Sequence, residues 1–127
     1  MEINFGDRRD HIRIEYEAEV KYSELRPEGQ KHMQDYEKVK IKNISKRGIC
    51  ILGTKTVEEE SMLEIELYIN KRIVKSLGEV KYCKPNSRPG IYEIGVNFVS
   101  LKASDIIFLE EFVEENSIKR HDFFERE

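Results

Sequence analysis

Two short stretches of the chain gather side chains suited to gripping an anion. Residues 7–13 read DRRDHIR, which places Arg8, Arg9 and Arg13 within six positions. A guanidinium is planar and permanently charged, donates two parallel hydrogen bonds to phosphate or carboxylate oxygens, and stacks on aromatic faces. Residues 43–48 read NISKRG. Asn and Ser side chains bond turn backbone and glycine admits a positive φ, so this stretch reads as a turn dressed with an amide, a hydroxyl and two cations. Each stretch alone has an ordinary explanation, a solvated charged face for the first and a tight turn for the second. Their joint presence in one small chain is the observation to explain.

Composition narrows what they would bind. The 127 residues include 22 basic and 25 acidic side chains, a formal net charge of −3. Such a balance does not attract nucleic acid or anionic membrane in general, so any anion site is local and fits one small ligand better than a polyanion. No nucleophile elbow, zinc-protease helix or phosphate-binding glycine loop is present, and the carboxylates alternate along strands or lie on one outer helix face. An enzyme is not expected. Cys50 and Cys83 form no CxxC pair, and His11, His32 and His121 lack metal-ligand spacing. The N-terminal MEINFGDRR is too short and polar for a signal peptide, and no apolar run approaches the roughly 20 residues of a membrane span. The expectation is a cytoplasmic protein with reduced thiols, no metal and no cofactor.

The elements that must position these residues follow from periodicity. In IRIEYEAEVKY, Ile12, Ile14, Tyr16, Ala18, Val20 and Tyr22 share one face, the mark of a half-buried strand. A loop containing Pro27 and Gly29 follows. Alternation resumes in YEKVKIKNIS through Val39 and Ile41, and GICILG is a short apolar run. MLEIELYI alternates through Leu63, Ile65, Leu67 and Ile69. RIVKSLGEVKYC is a further strand with a bulge or bend at Gly78, and IYEIGVNFVS sets Tyr92, Ile94, Val96 and Phe98 on one face. The period then changes. Ile106, Leu109, Phe112 and Val113 form a helical stripe that starts near Ser100. The pattern predicts an all-β domain: a six-stranded antiparallel barrel at about 12–100, flanked by one C-terminal helix at about 102–127. A flexible segment, 1–11, carries the arginines, and residues 1–127 form a single stand-alone domain.

Taken together, Arg9-x-x-x-Arg13, Asn43-x-Ser45-x-x-Gly48 and the Gly-x-x-Phe of YEIGVNF resemble the PilZ domain family, bacterial receptors for the second messenger cyclic di-GMP. The resemblance runs from about Arg8 to the helix. It implies a cyclic di-GMP site at Arg8, Arg9, Arg13, Asn43, Ser45 and Gly48. Arg9 and Arg13 would grip guanine and phosphate, because a guanidinium fork matches guanine O6 and N7 and adenine offers a donor in place of O6. Asn43 would accept from the guanine edge, Ser45 would donate to phosphate or ribose, and Gly48 would let the backbone approach. The family binds this ligand singly or as an intercalated dimer, and Arg8 suggests two ligands per chain. Binding would draw the arginine segment over the barrel and pass an altered surface to a protein partner. The competing expectations are a PilZ-fold protein-interaction adaptor that binds no nucleotide, and a small single-strand-binding barrel. The latter needs aromatics interleaved with a basic groove, which this chain does not offer. Nothing in the sequence sets the oligomeric state.

Overall fold

The computed structural model describes residues 13–25 and 37–125. Seven strands precede one helix: β1 (Arg13–Glu15), β2 (Glu19–Glu24), β3 (Glu37–Ser45), β4 (Gly48–Gly53), β5 (Met62–Ile69), β6 (Arg72–Pro85), β7 (Tyr92–Ser100) and α1 (Ala103–Glu125). The single strand expected from Ile12 to Tyr22 is split at Tyr16–Ala18. Its halves nevertheless run along the same edge of β3, with β1 against Asn43–Ser45 and β2 against Glu37–Lys40. Between them the Ile41 amide donates to the Ala18 carbonyl, so the pair acts as one interrupted strand. The circuit continues from β2 to β5, β6, β7 and β4, and β4 returns to β3. All pairings are antiparallel, and the result is a closed six-strand barrel with one C-terminal helix, as expected.

Alternation gives the barrel its filling. Ile14, Val20, Tyr22, Ile41, Ile44, Ile49, Ile51, Leu63, Ile65, Leu67, Ile69, Val74, Val80, Ile94 and Val96 are all buried in one cluster. Each fully buried aliphatic side chain contributes about 1.5–3 kcal/mol. The β5–β6 connection is a two-residue loop with Asn70 at φ 50° and Lys71 at φ 66°, the doubly positive geometry that suits the twist of a hairpin.

Three register shifts break strict period 2. One lies where Leu77 and Gly78 face Ser100 and Phe98, but the extra residue is Val99 of β7, so β6 keeps its alternation through Gly78, where the sequence suggested a bulge or bend. The others lie between Ile41 and Asn43 in β3 and between Val80 and Tyr82 in β6. Each adds one residue and turns every later side chain to the opposite face. That is why inward Ile41 is followed by inward Ile44, with Asn43 outward between them.

The helix begins later than Ser100, which ends β7; the amides of Asp105 and Ile106 donate to the Lys102 carbonyl. Its buried face comprises Asp105, Leu109, Phe112 and Val113, with Phe108 partly covered. Ile106, expected in the stripe, is 40% exposed. At 100° per residue it lies at the stripe's margin, and Asp105 takes the inward position because Arg72 of β6 supplies it with a partner. The guanidinium donates to Asp105 Oδ1 from Nη2 at 2.8 Å and from Nε at 3.2 Å, and lies 4.6 Å from the Phe108 ring centre. Tyr16 meets Phe112 edge to face, with centroids 4.7 Å apart.

Candidate functional site

The two stretches singled out in the sequence meet across one strand pair. In the β1–β3 register Arg13 stands opposite Ser45, Ile14 opposite Ile44 and Glu15 opposite Asn43. Ile14 and Ile44 are buried in the barrel, so Arg13, Glu15, Asn43 and Ser45 belong to its outer face. Arg8 and Arg9, and with them the expected flexible segment, lie outside the described residues.

The NISKRG turn is organised by its own side chains, though not quite as expected. Ser45 is 1% exposed, and its Oγ accepts from the backbone amides of Arg47 at 3.1 Å and Gly48 at 3.2 Å. Its first task is to close the turn, which leaves one hydroxyl proton to donate elsewhere. Gly48 does not adopt the positive φ that the turn reading allowed; among the described glycines only Gly90 does. Its constraint is lateral. A Cβ there would lie 2.0 Å from the Val96 carbonyl oxygen on β7, which no side chain could tolerate without moving backbone. Arg47 accepts at its carbonyl from the Phe98 amide at 2.7 Å, fixing the turn to β7, and Lys46 Nζ reaches Glu110 of α1 at 3.3 Å.

Asn43 stands apart. Its Oδ1 is buried and has no hydrogen-bond partner. An orphaned buried acceptor costs about 1–3 kcal/mol, and such atoms are rare enough in folded proteins to need a reason. It bonds no turn backbone, contrary to the turn reading.

Following the register outward from Asn43 reaches Gly95 of the Gly-x-x-Phe pattern and two residues that the sequence motifs did not mark, Cys50 and Tyr82. Asn43 pairs with Cys50, Cys50 with Gly95, and Gly95 with Tyr82, so one transverse row crosses β3, β4, β7 and β6 on the outer face. The Tyr82 hydroxyl donates to Cys50 Sγ at 3.8 Å, although the two residues are two strands apart. With strands spaced about 4.8 Å, that reach requires the phenol to lie along the sheet instead of standing on it. Gly95 makes room. A Cβ there would sit 2.1 Å from Tyr82 Cε2. Burial pushes both the Tyr82 hydroxyl and the Cys50 thiol above their ordinary pKa values, and the nearby positive charge of Arg13 partly opposes each shift.

Beside this row, Lys42 sits at the β3 bulge and donates to Glu93 Oε2 at 3.1 Å, while Asn86 Nδ2 donates to the same oxygen at 2.7 Å. The hydrogen bond from Lys42 holds the Glu93 carboxyl below its usual range, and the same bond raises the Lys42 ammonium. Lys84 places its ammonium 5.5 Å from the Tyr82 ring centre. The only advance signs of these partners were a cysteine outward between Ile49 and Ile51, and a glycine amid the alternation of β7. The β6 bulge concealed the face on which Tyr82 falls. Cys50 and Cys83 are both free thiols. Among the described residues no cluster of three or more acidic, His or Cys side chains is arranged to hold a metal, and no helix is long and apolar enough to cross a membrane.

The fold is thus a closed antiparallel barrel with one flanking helix, bearing an arginine beside an N-x-S-x-x-G turn on its outer wall. The chain belongs to the PilZ domain family, whose model matches residues 7–115. Among solved structures it is similar to the Bacillus subtilis inhibitor of motility, MotI/DgrA, with TM-score 0.72 and 14% identity over 88% of this chain and 52% of that one. The chain thus spans about half the length of the Bacillus protein. It is also similar to the PilZ domain of Escherichia coli YcgR, determined with c-di-GMP, with TM-score 0.66 and 11% identity over 91% of this chain and 98% of that one. At these identities the likeness is one of fold. No curated protein sequence matches the chain.

Proposed function

We propose that this protein is a cytoplasmic cyclic di-GMP receptor and adaptor, which binds the nucleotide on the outer wall of its barrel and signals occupancy to a protein partner. The observation that carries the reading is the register that sets Arg13, the last residue of one family motif, directly opposite Ser45 within the other. The orphaned Asn43 Oδ1 supports it, since guanine offers N–H donors that would satisfy that oxygen. In this reading Arg9 and Arg13 grip guanine and phosphate, with Arg8 as a third cation. Ser45 and Gly48 hold the turn tight against β7, so that its backbone and the Asn43 amide meet the ligand in a fixed frame. The protein performs no chemistry on the nucleotide; its output is a changed surface.

The test is calorimetric titration with cyclic di-GMP of the unaltered protein and of Arg9→Ala and Arg13→Ala, with melting curves and cyclic di-AMP as competitor. Each arginine contributes a charge-assisted contact of about 1.5–3 kcal/mol, so either substitution should weaken binding severely and leave stability nearly unchanged. Cyclic di-AMP should compete poorly. Unchanged affinity in both variants would sink the site. A folded, unaltered protein that binds no cyclic di-GMP would favour the protein-interaction adaptor that needs no nucleotide.

A further inference from the structure

We infer that the first two turns of α1, with the end of β7, form a self-association surface on which a second copy of this chain docks its own α1 antiparallel. The inference does not depend on the nucleotide reading above.

Ile106, Ile107, Phe108 and Leu109 are four consecutive apolar residues. At about 100° per residue they cover roughly 300° of the helix, more than one barrel wall can bury. The barrel takes Leu109 and part of Phe108, which leaves Ile106 40% and Ile107 55% exposed. Ala103, also exposed, stands three and four positions before them, so the three side chains make one ridge. Val99, the extra residue of the β7 shift, is 55% exposed. With Ile106 it lines a groove of about 350 Å³ between β7 and α1. Of the four large apolar side chains exposed among the described residues, three are gathered here. Scattered singly, such residues need no explanation; gathered and rimmed by charge, they mark a contact surface.

The charges along the ridge decide what fits it. Lys102 precedes the apolar residues and Glu110, Glu111 and Glu114 follow them, all exposed. Glu110 is engaged by Lys46, whereas Lys102 and Glu111 form no ion pair among the described residues. An anionic membrane would meet three carboxylates, so a lipid surface is a poor occupant. A run of cation, apolar ridge and anion is self-complementary when two copies lie antiparallel. With the two-fold axis between Ile106 and Ile107, Ile106 of each copy faces Ile107 of the other. The same axis sets Lys102 opposite Glu111 of the second copy, twice over. A parallel pair would instead bring like charges together. Ala103 has no side chain beyond Cβ, which lets the helix axes approach to about 8–10 Å. The contact is small beside the roughly 1,600 Å² of a standard interface, so the dimer is weak, with a dissociation constant on the order of 10–100 μM.

Sedimentation equilibrium of the unaltered protein, from about 1 μM to about 1 mM, should show the mass rise from one chain towards two. Ile107→Glu should weaken association by at least about tenfold and leave the circular dichroism of the fold unchanged, since the side chain is exposed. Lys102→Glu and Glu111→Lys should each weaken it comparably, because each homodimer then opposes like charges twice. Each reversal is the complement of the other. An equimolar mixture of the two variants should therefore regain association to within about threefold of the unaltered protein. A merely sticky apolar face would show no such rescue.

A protein that remains monomeric at about 1 mM overturns the proposal. So does a dimer indifferent to Ile107→Glu, which would place its interface elsewhere. Association unchanged in the folded single reversals, or not regained in their mixture, overturns the antiparallel register and the proposal with it.

Discussion

Gly48 and Glu93 show how single residues near the candidate site set its shape and its response to acid. Gly48→Ala would force a methyl group against the Val96 carbonyl, and a barrel strand cannot retreat without disturbing both its neighbours. The expected loss is about 1–3 kcal/mol or somewhat more, read by denaturant unfolding; a neutral outcome would mean the turn can swing away from β7. Glu93 makes a pH prediction. Its carboxyl is held below the ordinary range by Lys42, so the stability it confers is present above the unfolded-state pKa and lost as pH falls through the lowered folded value. Melting temperatures of the unaltered protein and Glu93→Gln should differ at neutral pH and converge in the acid range. A gap that persists undiminished at low pH would assign the effect to packing instead. At this scale the sequence was partly legible. Arg13, Asn43, Ser45 and Gly48 stood out as candidates because each stretch is local, and the register sets Arg13 opposite Ser45. Tyr82 and Cys50 did not, because their meeting depends on two bulges and a register that only the closed barrel defines.

Among the elements, α1 is tied to the barrel by its apolar stripe and by polar joints, of which Arg72–Asp105 is more buried than Lys46–Glu110. Arg72 opens β6 and Asp105 lies in the first turn of α1, where a carboxylate also gains from the positive end of the helix dipole. Asp105 is 6% exposed, so removing its partner leaves a buried charge poorly compensated. Arg72→Ala and Asp105→Ala should each destabilise by about 1–3 kcal/mol, and the double variant by clearly less than the sum. Denaturation of all four proteins measures that coupling, and strict additivity would show that the pair carries no mutual energy. The strands themselves were readable because alternation encodes which face is buried. The split at Tyr16–Ala18 and the outward Ile106 were not, since each is decided by a tertiary partner: the Ala18 carbonyl with Ile41, and Asp105 with Arg72.

For the molecule as a whole, the balance of charge bears on how many ligands it takes. A net charge of −3 opposes accumulation of anions, so whatever cyclic di-GMP binds must be neutralised by the few cations grouped at the site. One ligand brings two phosphates, which Arg9 and Arg13 can match. An intercalated pair brings four phosphates and four guanines, and needs further cationic and stacking surface. Arg8 directly precedes the arginine motif, and a third guanidinium there would stack on an outer guanine and pair with a second phosphate, worth roughly 1–2 kcal/mol if partly desolvated. The expected stoichiometry is two cyclic di-GMP per chain, falling to one in Arg8→Leu with binding retained. Titration to saturation, with protein concentration fixed by amino-acid analysis, measures it directly. One ligand per chain in the unaltered protein would remove this role from Arg8, while leaving Arg9 and Arg13 to hold that single ligand.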